Sequence, residues 1–318
     1  LSPLVDSWNR FWFSPADPRD LALGRIVFCV GVLMLFGNQP WPLWAQVGEA
    51  FRQPIKVLGL VSFEPLARPW LDIAWGLWRL SLLTAALGFL TRVSLGVAFV
   101  LGFYLLALPH HFGRLEHTDG VVVILLGVLA ASRCGDAWSL DAWRARRRDR
   151  AVERPPHGAY RWPVRAAQLV LCTIFFSAGI AKLRHGGLEW ITSDTLSITL
   201  LRAQLQPEGV GPVVDWGRWL AGQRATMILA AAGTIAIELG YPLALLHRRS
   251  RWVLLPAMVG LLVGFRVLMG PWFGTFILAH VFWVPWSRWL RLGSPPADPR
   301  GPSAAATTAS QPLAGAAP

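Results

Sequence analysis

The sequence predicts an all-α, polytopic transmembrane helical bundle of about eight spans, and three observations predict it. Of 318 residues, 54% are hydrophobic and only 15% charged, with a mean hydropathy of +0.43, far more apolar than a soluble domain of this length. The apolar runs approach the ~20 residues that a helix needs to cross ~30 Å of hydrocarbon. Those runs are rich in Leu, Ala, Gly and Val and lack strict two-residue alternation, which favours helices over an outer-membrane barrel.

Taken in order, residues 1–20 read as an interfacial segment, because Trp8, Phe11, Trp12 and Phe13 crowd beside Arg10 and are followed by Pro15 and Pro18. No cleavable signal peptide is expected there, since the polar start leads to an apolar run without a small-residue cleavage pattern. The transmembrane domain is expected over 21–290, with spans at 21–38, 71–90, 93–108, 118–132, 164–183, 225–246, 252–269 and 272–289. A Pro- and Trp-rich loop fills 39–70, and Gly270-Pro271 separates the last two spans as a turn or kink. Residues 133–163 form a basic connection containing Arg144, Arg146, Arg147, Arg148 and Arg150, and 188–223 form an amphipathic extracytoplasmic excursion. The Pro-, Ala-, Ser- and Thr-rich stretch 291–318 is expected to be disordered.

The positive-inside rule places the basic connection and residues 247–251 in the cytoplasm. An even number of spans then leaves both termini cytoplasmic, and it puts His117 and Lys182 at the outer ends of the fourth and fifth spans. The formal charge of +12 is thereby a matter of topology rather than of nucleic-acid binding, as the arginines lie in connections and not on a binding module. Cys29, Cys134 and Cys172 are scattered without a CxxC, which indicates neither a disulfide framework nor a thiolate metal site.

The central stretch runs from Phe175 to Trp190, where an apolar helix carries Lys182 near its end. An ammonium near hydrocarbon either faces a partner or cavity, or snorkels to the headgroups. Ala178 and Gly179 share its helix face and permit close approach of a second helix. Three histidines, His110, His111 and His117, cluster just before the fourth span. With Thr118 or Asp119 as cap, His117 sits at a helix N-terminus, where the dipole favours the neutral imidazole. A metal reading would use His110 or His111 with Glu116 and His117, though the spacing matches no zinc pattern, and a backbone-bonded interfacial histidine is the plainer alternative. Glu238 lies some 20 Å into the sixth span at ~1.5 Å per residue. That is beyond the midplane, with Arg25 as the expected counter-ion, Arg79 as the other choice, and proton relay left open. Arg266, near the outer end of the seventh span, is a candidate to line the same cavity as Lys182.

A set of landmarks recurs in order over about residues 10–290: Leu21-Ala22-Leu23-Gly24-Arg25-Ile26, Gly88-Phe89-Leu90-Thr91-Arg92, His117, Trp138-Ser139-Leu140-Asp141, Ala178-Gly179-Ile180-Ala181-Lys182-Leu183 with Glu189-Trp190, Glu238-Leu239-Gly240-Tyr241-Pro242 and Met269-Gly270-Pro271-Trp272. Together they resemble the membrane part of the vitamin K-dependent gamma-carboxylases and their bacterial relatives, the HTTM (horizontally transferred transmembrane) domain proteins.

The resemblance implies a carbon-carbon lyase of a bacterial cytoplasmic membrane, with vitamin K hydroquinone or a menaquinol-like quinol as cofactor and O2 and CO2 as co-substrates. It implies that Lys182 is the base that deprotonates the quinol and that His117 assists. Oxygen addition then yields a strongly basic alkoxide that removes a glutamyl proton, and CO2 captures the carbanion. Trp190, Phe175 and Arg266 are the expected contacts of the quinol, and the partners are the bilayer, the quinol and a peptide or protein substrate. Two departures are visible: the seventh span reads Leu261-Leu262-Val263-Gly264-Phe265-Arg266 without the histidine expected in many relatives, and 293–318 does not resemble the extramembrane region by which animal carboxylases engage propeptides. The alternative function is a noncatalytic membrane module that binds a lipid, a peptide toxin or a protein partner. Transport ranks behind both, since no inverted repeat is evident.

Overall fold

The computed structural model describes residues 2–53, 65–113, 117–148, 154–204 and 214–290. It is all-helical, and among these residues the only β feature is an isolated bridge between Ala16 and His157. Helix α1 (Pro3–Phe13) packs against α7 through Phe11, whose ring lies 4.8 Å from the Arg165 guanidinium. Helices α2 (Pro18–Phe36), α3 (Arg68–Leu87), α4 (Thr91–Ala107) and α5 (His117–Ala131) follow, and then the short, arginine-rich α6 (Leu140–Arg148). Helix α7 (Arg161–Gly186) is the longest, and α8 (Glu189–Thr192), α9 (Thr195–Gln204) and α10 (Val214–Ala221) fill the excursion after it. The chain ends in α11 (Arg224–Gly240), α12 (Leu243–Leu246), α13 (Arg248–Met269), α14 (Gly274–Ala279) and α15 (Trp286–Trp289).

The main core lies among α2 to α5 and is continued by α7 and α14, with Leu21, Phe28, Val32, Trp78, Leu82, Leu95 and Leu105 fully buried. Trp78 meets the requirement that a buried indole N–H find an acceptor by donating to Ala98 O at 3.0 Å. A smaller cluster of Leu200, Ala221 and Met227 joins α9 and α10 to α11, backed by Leu268 and Met269 at the end of α13.

Among the described residues, three helical segments are long and apolar enough to cross a membrane: Thr91–Phe112, Gly158–Gly186 and Arg248–Met269. The eight continuous spans expected from the sequence are not all present as such. α5 and α11 have 15 and 17 residues, short of the ~20 that a full crossing needs. The expected sixth span stops at Gly240, where Tyr241-Pro242 separates it from α12. The expected eighth is broken into α14, a 3-10 turn at His280–Trp283 and α15, with Pro285 between the last two. α13, by contrast, continues through Pro256.

Landmarks far apart in sequence fold into one latch around Arg25, which is fully buried. Its Nη1 donates to Cys134 O at 3.1 Å, and its Nη2 donates to Trp138 O at 2.7 Å and to Ala86 O at 3.4 Å. Ala86 lies in the last turn of α3, where carbonyls lack intrahelical partners and the helix dipole favours a cation. Gly88 ends α3 with φ +69, and a Cβ there would run into Ser139 and sit 2.9 Å from Arg25 Nη1. Only glycine combines that backbone with that clearance.

The same latch caps α4 from outside. Asp141 accepts from Leu90 N at 3.0 Å, Thr91 N at 2.7 Å and Thr91 Oγ1 at 2.7 Å, placing a carboxylate on the positive end of the helix. Partial burial opposes the charge, but the donors from Thr91 and Leu90 outweigh it and hold the Asp141 carboxyl below its ordinary range. A depressed folded-state value means stabilisation that is present above ~pH 4 and lost as pH falls through that lower value. Asp141→Asn should therefore cost about 1–2 kcal/mol near neutral pH. The gap from wild type should close in acid, as read from thermal unfolding in detergent at the two pH values.

Candidate functional site

Helices α7 and α11 pack antiparallel in a register set by three contacts. Phe175 meets Tyr241 edge to face with centroids 4.9 Å apart. Gly179 leaves so little room that a Cβ there would lie 2.8 Å from Leu239 Cδ2 and 3.2 Å from Glu238 Cβ. Lys182 Nζ then reaches both carboxylate oxygens of Glu238 at 2.8 Å. The lysine side chain is 24% exposed and the glutamate 6%, so the pair is a buried anion met by a cation at the edge of the bundle. The Lys182 amine also lies 5.6 Å from the centroid of the Trp190 ring, an aromatic face that attracts cations. Trp190 is held there because the Cβ-less surface of Gly186 lets it approach.

This pairing corrects two sequence expectations. Glu238 has neither Arg25 nor Arg79 as counter-ion, since Arg25 is held by carbonyls and Arg79 is exposed on α3. Nor do Glu238 and Lys182 lie at different depths, since their side chains meet. The 26 residues of α7 extend past the expected span, and the register leaves roughly the first two turns of α11 beyond the end of α7. Depth counted from the start of α11 therefore overstated the separation of Glu238 from Lys182.

The other expected site residues are scattered. Phe175 is buried in an aromatic cluster with Tyr241, Phe276 and His280. Arg266 is exposed, and its guanidinium donates to Gly270 O at the end of α13 instead of joining the Lys182 pair. His117 opens α5, but its side chain lies outside the described residues, as does Glu116 of the metal reading. His110 faces Asp119, Nε2 to Oδ2 at 3.3 Å. Among the described residues no group of three His, Cys, Asp or Glu side chains could hold a metal ion.

A polar pair that sequence reasoning did not single out lies deeper between α11 and α14. His280 Nδ1 is 2.7 Å from Phe276 O and its Nε2 is 2.9 Å from Tyr241 Oη. A carbonyl only accepts, so Nδ1 carries hydrogen, and in the neutral ring Nε2 accepts from the tyrosine. The signal was a histidine inside an expected span, where ionisable groups are rare and need a partner.

An all-helical bundle with spanning helices and a lysine–glutamate pair between two of them defines an integral membrane protein. The family model for the HTTM domain matches residues 13–286, and the chain belongs to that family, membrane proteins related to vitamin K-dependent gamma-carboxylase. No curated protein and no solved structure matches it.

Proposed function

We propose that the protein is a quinol-dependent membrane enzyme of the gamma-carboxylase type, with the Lys182–Glu238 pair as its proton-transfer group. The observation that carries this reading is the two-pronged 2.8 Å contact of a partly exposed ammonium with a buried carboxylate. A quinol fits the surroundings, because Lys182 sits beside the Trp190 face and shares its helix with the exposed apolar side chains Phe176 and Ile180. Lys182 and Trp190 would hold it, and when bound it would supply an acidic hydroxyl proton and a reductant for O2.

The pair solves a problem that a lone lysine would have. An ammonium cannot accept a proton, and at 2.8 Å its own proton can pass to Glu238, leaving a neutral amine and a neutral carboxylic acid. Nζ can then take the substrate proton while Glu238 retains the first. His117 is retained as the assisting group. The reading places it in a bacterial cytoplasmic membrane, and the positive-inside rule supports an orientation with both termini and residues 133–163 inside.

The test is reconstitution with vitamin K hydroquinone, O2 and bicarbonate, following quinone epoxide. Wild type should turn over, Lys182→Ala should lose on the order of 10²-fold or more, and Glu238→Gln should displace the pH profile. Turnover undiminished in Lys182→Ala would remove the lysine as base. Failure of folded wild type to bind the quinol would favour the noncatalytic module.

A further inference from the structure

A second site lies at the other end of α7, where α7, α13 and the 3-10 turn before α15 enclose a cavity of about 830 Å³. Five guanidiniums line it, Arg161, Arg165, Arg248, Arg251 and Arg288, against a single carboxylate, Asp20. Asp20 Oδ1 accepts from Ser287 N at 2.6 Å, and of the five arginines its charge bears on Arg161. Among the described residues none of the five arginines has a carboxylate within 4.0 Å; the ion pairs that form involve other residues, outside the cavity lining. Arg161 donates to Pro15 O, Arg165 to Gln168 Oε1 and Arg251 to Ala244 O. The buried Nε–H groups of Arg161 and Arg165 have no acceptor among the described residues. Such convergence of uncompensated cations on a space of ligand size is costly unless an anion completes it.

The rest of the lining says what kind of anion. Leu255, Pro256 and Val259 make an apolar wall along α13, a helix of membrane-spanning length. Trp252 and Trp289 also line it and are 72% and 68% exposed, as suits tryptophans at a headgroup layer. A small soluble anion would use the arginines and leave the wall bare, whereas a phospholipid uses both, and basic pockets between transmembrane helices bind such headgroups. We propose that this cavity binds an anionic phospholipid, its headgroup held by the five arginines and its chain laid against Leu255, Pro256 and Val259.

Full-length protein in detergent would be titrated with phosphatidylglycerol, phosphatidylcholine or inorganic phosphate, and binding read by native mass spectrometry and thermal unfolding. Phosphatidylglycerol should be retained and raise the unfolding temperature, phosphatidylcholine should bind at least about tenfold more weakly, and inorganic phosphate alone should not stabilise. Arg165→Gln/Arg251→Gln should weaken phosphatidylglycerol binding about thirtyfold, the expectation for two basic groups lost from a phosphate. Since Arg251 also closes α12, Arg248→Gln/Arg288→Gln, both exposed and without a side-chain hydrogen bond among the described residues, provides the variant with an undisturbed interior and the same expected weakening. Equal retention of phosphatidylcholine, saturation by inorganic phosphate alone, or binding unaffected in the second double variant would overturn the proposal.

Discussion

Replacing Arg25 with alanine is expected to be among the most destabilising single changes in the chain, costing on the order of 4–5 kcal/mol. The guanidinium is fully buried and donates to carbonyls of Ala86, Cys134 and Trp138, so its removal strands acceptors that water cannot reach, at ~1–3 kcal/mol each when unmet. A void is left as well. Arg25→Lys should recover only part of the loss, because an ammonium lacks the planar fork that reaches the end of α3 and the 132–139 turn together. Arg79→Ala, at an exposed position on the neighbouring helix, should stay within ~0.5 kcal/mol of wild type. The comparison is made by unfolding in detergent followed by tryptophan fluorescence. Equal stability of Arg25→Ala and Arg79→Ala would show that the latch does not hold the helices together.

Arg25 also shows how far sequence reasoning reached. Its position near the start of an apolar run marks a buried cation, and a carboxylate is the first partner sought for one. The carbonyl ends of α3 and of a turn more than a hundred residues away satisfy it instead, and no local pattern reveals that those ends converge. Asp141 and Gly88 were visible as landmarks, but their roles, a cap supplied from another helix and a close approach, depend on tertiary placement. The tight helix contact beside Lys182 was legible because small residues one turn earlier mark it, and Gly179 does admit Glu238 and Leu239. The partner of Lys182 was not, because the depth of Glu238 was counted from a helix start that overhangs its neighbour. The arginines of the basic cavity failed to stand out for a related reason. Arg161, Arg165, Arg248, Arg251 and Arg288 come from three separate stretches, each of which reads alone as a topological charge.

Lys182→Met should destabilise the protein by about 3 kcal/mol, the lower part of the range for breaking a buried ion pair. It falls low because the lysine is a quarter exposed and because Glu238, once alone, can relieve its burial by taking a proton. Glu238→Leu should cost less, since the amine left behind can turn toward solvent or headgroups. The double variant Lys182→Met/Glu238→Leu should regain most of the loss, as apolar replacement of both partners commonly does. A coupling of 1–3 kcal/mol is expected from the cycle. This recovery separates the two roles that the pair can have. A strut between α7 and α11 can be replaced by packed methyl groups with every function kept, whereas a proton-transfer group cannot. A double variant that is as stable as wild type yet inert toward quinol would assign the pair to chemistry. One that is stable and fully active would leave it a strut, and the base would have to be sought elsewhere in the bundle.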